Sequence, residues 1–119
     1  MYEKIKDSEP FFVLYSRGDV LAEEIDDFID DWHLKMEGKK FPHIVPLYEF
    51  LGMSKDEYDI WIQDAESLPN ILNARREGKS IDAAANDRVG ELMLAARASD
   101  KTSIIALKEW LRKRNAKNI

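Results

Sequence analysis

Six carboxylates crowd the stretch Glu23, Glu24, Asp26, Asp27, Asp30 and Asp31. Residues four apart share one side of a helix, so Asp26 with Asp30 and Asp27 with Asp31 could face a metal ion or a basic partner together. The metal chemistry lacks its accessories. A calcium loop needs a glycine turn and ligands on a curved backbone, and a carboxylate-bridged iron site needs a histidine motif on the bundle helices. His33 and His43 are the only histidines, and a spacing of ten fits no common ligand pair or triad. The serines stand in no strained Gly-x-Ser-x-Gly turn, and no glycine-rich loop would cradle a phosphate. No catalytic residue, metal or cofactor is therefore expected, and the expectation is a protein that is not an enzyme. The acids read as a solvated face or as a surface for a basic protein.

The opposite charge sits at the other end. Lys108, Arg112, Lys113, Arg114 and Lys117 fall within ten residues and could contact nucleic-acid phosphates. They have no interleaved aromatic residues on which bases would stack, so they could equally attract the acidic half of another copy. The net charge of −5 conceals this gradient: residues 19–66 carry four bases against fourteen acids, whereas residues 101–119 carry six bases against one acid. Such a dipolar chain suits charge-steered association with a protein. The 119 residues and a hydrophobic fraction of 45% are enough for one modest core. With no cysteine, disulfides and thiolate chemistry are ruled out together. No apolar run is long enough for a signal peptide or a membrane span, so a cytoplasmic, membrane-free protein is expected.

The positioning elements follow from periodicity. Leu21, Ile25, Phe28, Ile29 and Trp32 recur at helical spacing and predict an amphipathic helix over about 19–36, with the acids on its other side. Gly38-Lys39-Lys40 ends it, and Phe41-Pro42-His43 is a connector, because the residue before proline avoids helical torsions. Pro10 to Ser16 is a short apolar run that reads as a strand or as an extended segment packed across helices. Ser67 is a cap for a helix over about 68–77 that Gly78 stops. Ser80 caps a longer helix to about residue 98, with the apolar line Ile81, Ala85, Val89, Leu92, Met93 and Ala96. Gly90 inside it implies close approach of another helix, since glycine there costs about 1 kcal/mol relative to alanine. A last helix buries Ile104, Ile105, Leu107, Trp110 and Leu111 and leaves Lys108, Arg112, Lys113 and Arg114 solvated. Trp32, Trp61 and Trp110 read as core residues, Met36, Met53 and Met93 as gap-fillers, and Arg75-Arg76 as a pair that compensates a helix end.

Between these lies Leu47-Tyr48-Glu49-Phe50-Leu51-Gly52-Met53-Ser54, followed by Tyr58 and Trp61. Gly52 can take the left-handed conformation that closes one helix, and Ser54 can cap the next, which would bury Tyr58, Trp61 and Ile62. The stretch 47–64 resembles the helix-turn-helix of Cro-like repressors and antitoxins. The resemblance implies a second helix that reads DNA from positions near Ser54, Lys55, Asp56 and Asp59. That helix carries one base against four acids, which would meet phosphates with like charge.

The sequence thus predicts an all-α fold, a compact bundle of about six helices with a helix-turn-helix-like unit, as a single domain. Its halves would be a helix-turn-helix-like part over about 19–77 and a C-terminal helix pair over about 80–115. The expected function is a non-enzymatic, protein-binding module of bacterial or phage type, antitoxin-like or inhibitory. Glu23, Asp26, Asp27, Asp30, Asp31, Asp56 and Asp59 would engage a basic partner of toxin or nuclease type. The alternatives are a DNA-binding regulator that uses Lys108, Arg112, Lys113 and Arg114, and a structural or assembly protein.

Overall fold

A computed structural model of the chain describes residues 9–41, 43–95 and 97–117. Among them are seven α-helices and no strand: α1 (Phe11–Ser16), α2 (Ile25–Glu37), α3 (Leu47–Leu51), α4 (Lys55–Gln63), α5 (Leu68–Glu77), α6 (Ile81–Ala95) and α7 (Lys101–Lys117). Short 3-10 turns at Ala22–Glu24, Ala65–Ser67 and Ala98–Asp100 lead into α2, α5 and α7. The helices group into two compact units, one ending at Lys55 and the other beginning at Asp56. The helix-turn-helix-like stretch therefore has α3 in the first unit and all of α4 but its first residue in the second. Pro42, Ala96, residues 1–8, on which most of the expectation about a signal sequence rests, and residues 118–119 lie outside the described residues, as do the side chains of Ala116 and Lys117.

In the first unit, the apolar run after Pro10 is a helix rather than a strand or extended coil. Pro10 stands at its N-cap with extended torsions (φ −66°, ψ 157°), and Phe11, Phe12 and Leu14 are all buried. The helical register lets Phe11 stack on Tyr15 at 5.6 Å and meet the edge of Phe28 of α2 at 5.4 Å. The apolar line of α2 is confirmed at Ile25 and Phe28 but not at Leu21, which precedes the helix and is exposed. Instead the backbone amide of Leu21 donates to the Glu24 carboxylate at 2.6 Å, anchoring the turn that starts the helix. Trp32 is half-exposed, and its indole N–H donates to the Val45 carbonyl at 2.7 Å. That bond fastens the connector after α2 and helps α2 pack on α3.

Four helices end in the same way. At Gly18, Lys39, Gly52 and Gly78 the chain turns left-handed, with φ of 81°, 54°, 80° and 68°. In each case the next amide reaches back five residues, as in Lys40 to Lys35 at 2.9 Å and Met53 to Tyr48 at 2.9 Å. Gly52 and Gly78 do what the sequence predicts. At the end of α2, Gly38 keeps φ −80° and Lys39 takes the left-handed torsions.

In the second unit, Ile60, Leu68, Ile71, Ala74, Ala84, Ala85, Val89, Leu92, Leu107 and Leu111 are buried. Helix α5 packs on α6, and α6 on α7. Ser80 caps α6 as expected, accepting from the Ala83 amide at 3.2 Å. Ser67 does not cap α5. Its backbone is already helical (φ −83°, ψ −2°) because the 3-10 turn begins earlier, at Asp64, whose carboxylate accepts from the Glu66 amide at 3.2 Å. The phase of α4 also differs from the expected one: Ile60 and Glu57 point inward, Tyr58 and Trp61 are half-buried, and Ile62 is 54% exposed. Met93 and Ile105 are exposed rather than packed, and Trp110 is half-exposed. Gly90 has nothing within 4 Å of where a Cβ would stand, so among the described residues no helix approaches it there.

Candidate protein-binding surface

Helix α2 presents its acids on the side opposite Ile25 and Phe28, because a 3.6-residue turn separates positions 25 and 28 from 23, 26, 27 and 30. Glu23, Asp26, Asp27 and Asp30 are exposed. Asp31 is drawn aside by Lys35 one turn later, at 3.1 Å, and both side chains are half-buried. Glu23, Asp26 and Asp30 have no ion-pair partner among the described residues. At the C-terminal end of this acidic side stands Leu34, 67% exposed. It lies one turn beyond Asp30 and half a turn from Trp32, and that position off the apolar line marks it in the sequence as a surface leucine. Sequence reading by charge alone passed it over.

The other two acids assigned to this surface are engaged elsewhere. Asp56 receives the Arg114 guanidinium at 2.8 Å, and Arg114 also donates to Asp82 at 2.7 Å. Arg114 lies 4.8 Å above the Trp110 ring. Burial works to lower the pKa of this guanidinium, but the hydrogen bonds to Asp82 and Asp56 outweigh it and the net shift is upward. Asp59 is half-buried and already has an interaction partner. Asp56 and Arg114, expected to face a basic partner and a nucleic acid respectively, instead satisfy each other inside the second unit.

The basic C-terminal cluster is thinned in the same way. Arg112 pairs with Glu109 one turn earlier, which raises the arginine and holds the Glu109 carboxyl below its ordinary range. Lys108 and Lys113 remain exposed. Arg75, expected to compensate a helix end, forms a two-pronged pair with the buried Glu57, at 2.7 and 2.6 Å. Arg88 of α6 pairs with the buried Asp64, both side chains largely withdrawn from solvent. Burial is the largest influence on Arg88 and acts downward; the Asp64 hydrogen bond and charge reverse it. Neither pair is apparent from the sequence, because the partners are 18 and 24 residues apart with no periodic relation.

Among the described residues, no group of three or more His, Asp or Glu side chains is arranged to hold a metal ion, and no helix is long and apolar enough to cross a membrane. No protein-family model matches the chain, and no curated protein or solved structure is detectably similar to it.

Proposed function

We propose that this chain is a non-enzymatic protein-binding module, antitoxin-like or inhibitory, that docks a basic protein on the acidic side of α2. The observation that carries this reading is Leu34, exposed one turn beyond Asp30 on the helix side that carries Glu23, Asp26, Asp27 and Asp30. One exposed apolar anchor at the end of a row of carboxylates has the make-up of a small docking surface. The leucine supplies buried area on binding and the carboxylates supply steering and register. A partner that normally handles a phosphate backbone, of toxin or nuclease type, offers the complementary basic groove. The repressor-like stretch 47–64 enters as a scaffold for protein contact, its DNA-reading role weakened by the acidity of α4 and by the loss of Arg114 to Asp56 and Asp82.

The test is capture of partners from the native source by wild-type chain and by a Glu23→Lys, Asp26→Lys, Asp30→Lys triple variant. A basic protein retained by the wild type at low salt should be lost with the variant, and Leu34→Asp should lose it as well. Retention unchanged by both variants would refute the acidic surface. Tight, steeply salt-dependent retention of random duplex DNA would favour the regulator instead.

A further inference from the structure

The side of α6 that faces away from the core carries an unfilled groove. Ala84, Ala85, Val89 and Leu92 point inward; Asn86, Asp87, Gly90 and Leu94, about half a turn away, point outward. Together with Asn73 and Glu77 of α5 they line a concavity of about 370 Å³. At its end Leu94 is 89% exposed, the most exposed large apolar side chain among the described residues. Among the lining residues Glu77, Asp87 and Glu91 stand against Lys79, with Glu91 also paired to Arg88 at 3.5 Å. Lys79 bridges Glu77 at 3.1 Å and Asp87 at 3.5 Å, and that hydrogen bonding to Glu77 raises it further, so one cation is already shared between two carboxylates.

The complementary chemistry is present in the same unit. The outward side of α7 holds Ile105, 65% exposed, between Lys101 on the preceding turn and Lys108 and Arg112 on the following ones. All four fall within one quadrant of the helix, opposite Leu107 and Trp110. One exposed aliphatic residue among cations thus matches one exposed leucine among carboxylates.

From this match we infer that the occupant of the α5–α6 groove is α7 of a second copy of this chain. Ile105 packs on Gly90 and Leu94 there, and Lys101 and Lys108 meet Asp87 and Glu77. The absence of a Cβ at Gly90 lets the incoming helix lie close, and because each copy offers both groove and helix, a two-fold pair forms both contacts at once. The surface is separate from the acidic side of α2, and its test does not depend on the proposed partner.

Light scattering and sedimentation of the full chain read the outcome directly. The wild type should pass from monomer to dimer mass at about 1–100 µM, and the transition should move to higher concentration as salt is raised. Leu94→Glu and Ile105→Glu should each raise the dissociation constant by about tenfold or more, with circular dichroism confirming an unchanged helix content. Lys101→Glu with Lys108→Glu, and Glu77→Lys with Asp87→Lys, should each yield monomers. Mixing those two double variants should restore a dimer that neither forms alone, because each mismatched surface then meets its complement. A monomer mass for the wild type up to about 500 µM, self-association untouched by Leu94→Glu and Ile105→Glu, or failure of the mixture to associate would each overturn the inference.

Discussion

Single residues in this chain are decided by torsion and by space. Lys39 takes the left-handed position that glycine fills at the ends of α1, α3 and α5. A side chain there costs about 1–2 kcal/mol against the carbonyl that follows, so Lys39→Gly should stabilise the protein by about 1 kcal/mol, seen as a higher melting temperature. Gly52 and Gly78 separate torsion from crowding. Both have positive φ, but a Cβ at Gly52 would stand 2.8 Å from the Pro10 Cβ, whereas at Gly78 it would meet nothing within 4 Å. Gly78→Ala should therefore cost about 1 kcal/mol and Gly52→Ala about 2–3 kcal/mol, because the second also forces α1 from α3. Equal losses by urea denaturation would mean that Pro10 yields without cost. The hydroxyl of Ser67 is fully buried with no partner among the described residues, and Ser67→Ala should be neutral or stabilising by up to about 1 kcal/mol.

At the level of elements, ion pairs fix how α4, α5, α6 and α7 sit within the second unit. Arg88 and Asp64 are both withdrawn from water, Arg75 is 40% exposed over Glu57, and Lys113 is exposed. Removing one member of a buried pair strands the other without solvent, so Arg88→Met should cost about 3 kcal/mol and Arg75→Ala about 1–3 kcal/mol. Lys113→Ala should stay within about 0.5 kcal/mol. Any other order in chemical denaturation would contradict these burial assignments. On α7 the pH dependence has a definite sign. Arg112 holds the Glu109 carboxyl below its ordinary value, so its contribution is present above the unfolded carboxyl value and is lost as pH falls through the folded one. In Arg112→Ala the Glu109 titration should move up toward the ordinary carboxyl range, which a side-chain carbonyl NMR titration would follow.

For the molecule as a whole, the described residues imply a far-ultraviolet spectrum dominated by helix. They also imply that no tryptophan is sealed from solvent, since Trp32, Trp61 and Trp110 are all half-exposed. Acrylamide should therefore quench all of the fluorescence in the folded state, and Ile60→Ala, at about 2–5 kcal/mol, should destabilise more than Trp61→Ala. A large blue-shifted, unquenched fraction would restore the inward phase for Trp61.

Local chemistry made much of this legible. The helical class, the breaks at Gly52 and Gly78, the Ser80 cap and the buried side of α2 at Ile25 and Phe28 depend on residues within one or two turns of each other, and short-range periodicity and backbone torsion act at that range. What the chain could not disclose required distant partners. The run after Pro10 is helical because Phe11 has Phe28 to pack against. Helix α4 turns Glu57 inward because Arg75 waits there, and Ser67 loses its capping role because Asp64 starts the turn first. The acidic and basic segments, read separately as two binding surfaces, lose Asp56 and Arg114 to each other across 58 residues of chain. Charge counted along a sequence has no direction, and only the tertiary structure decides which charges face water and which face one another.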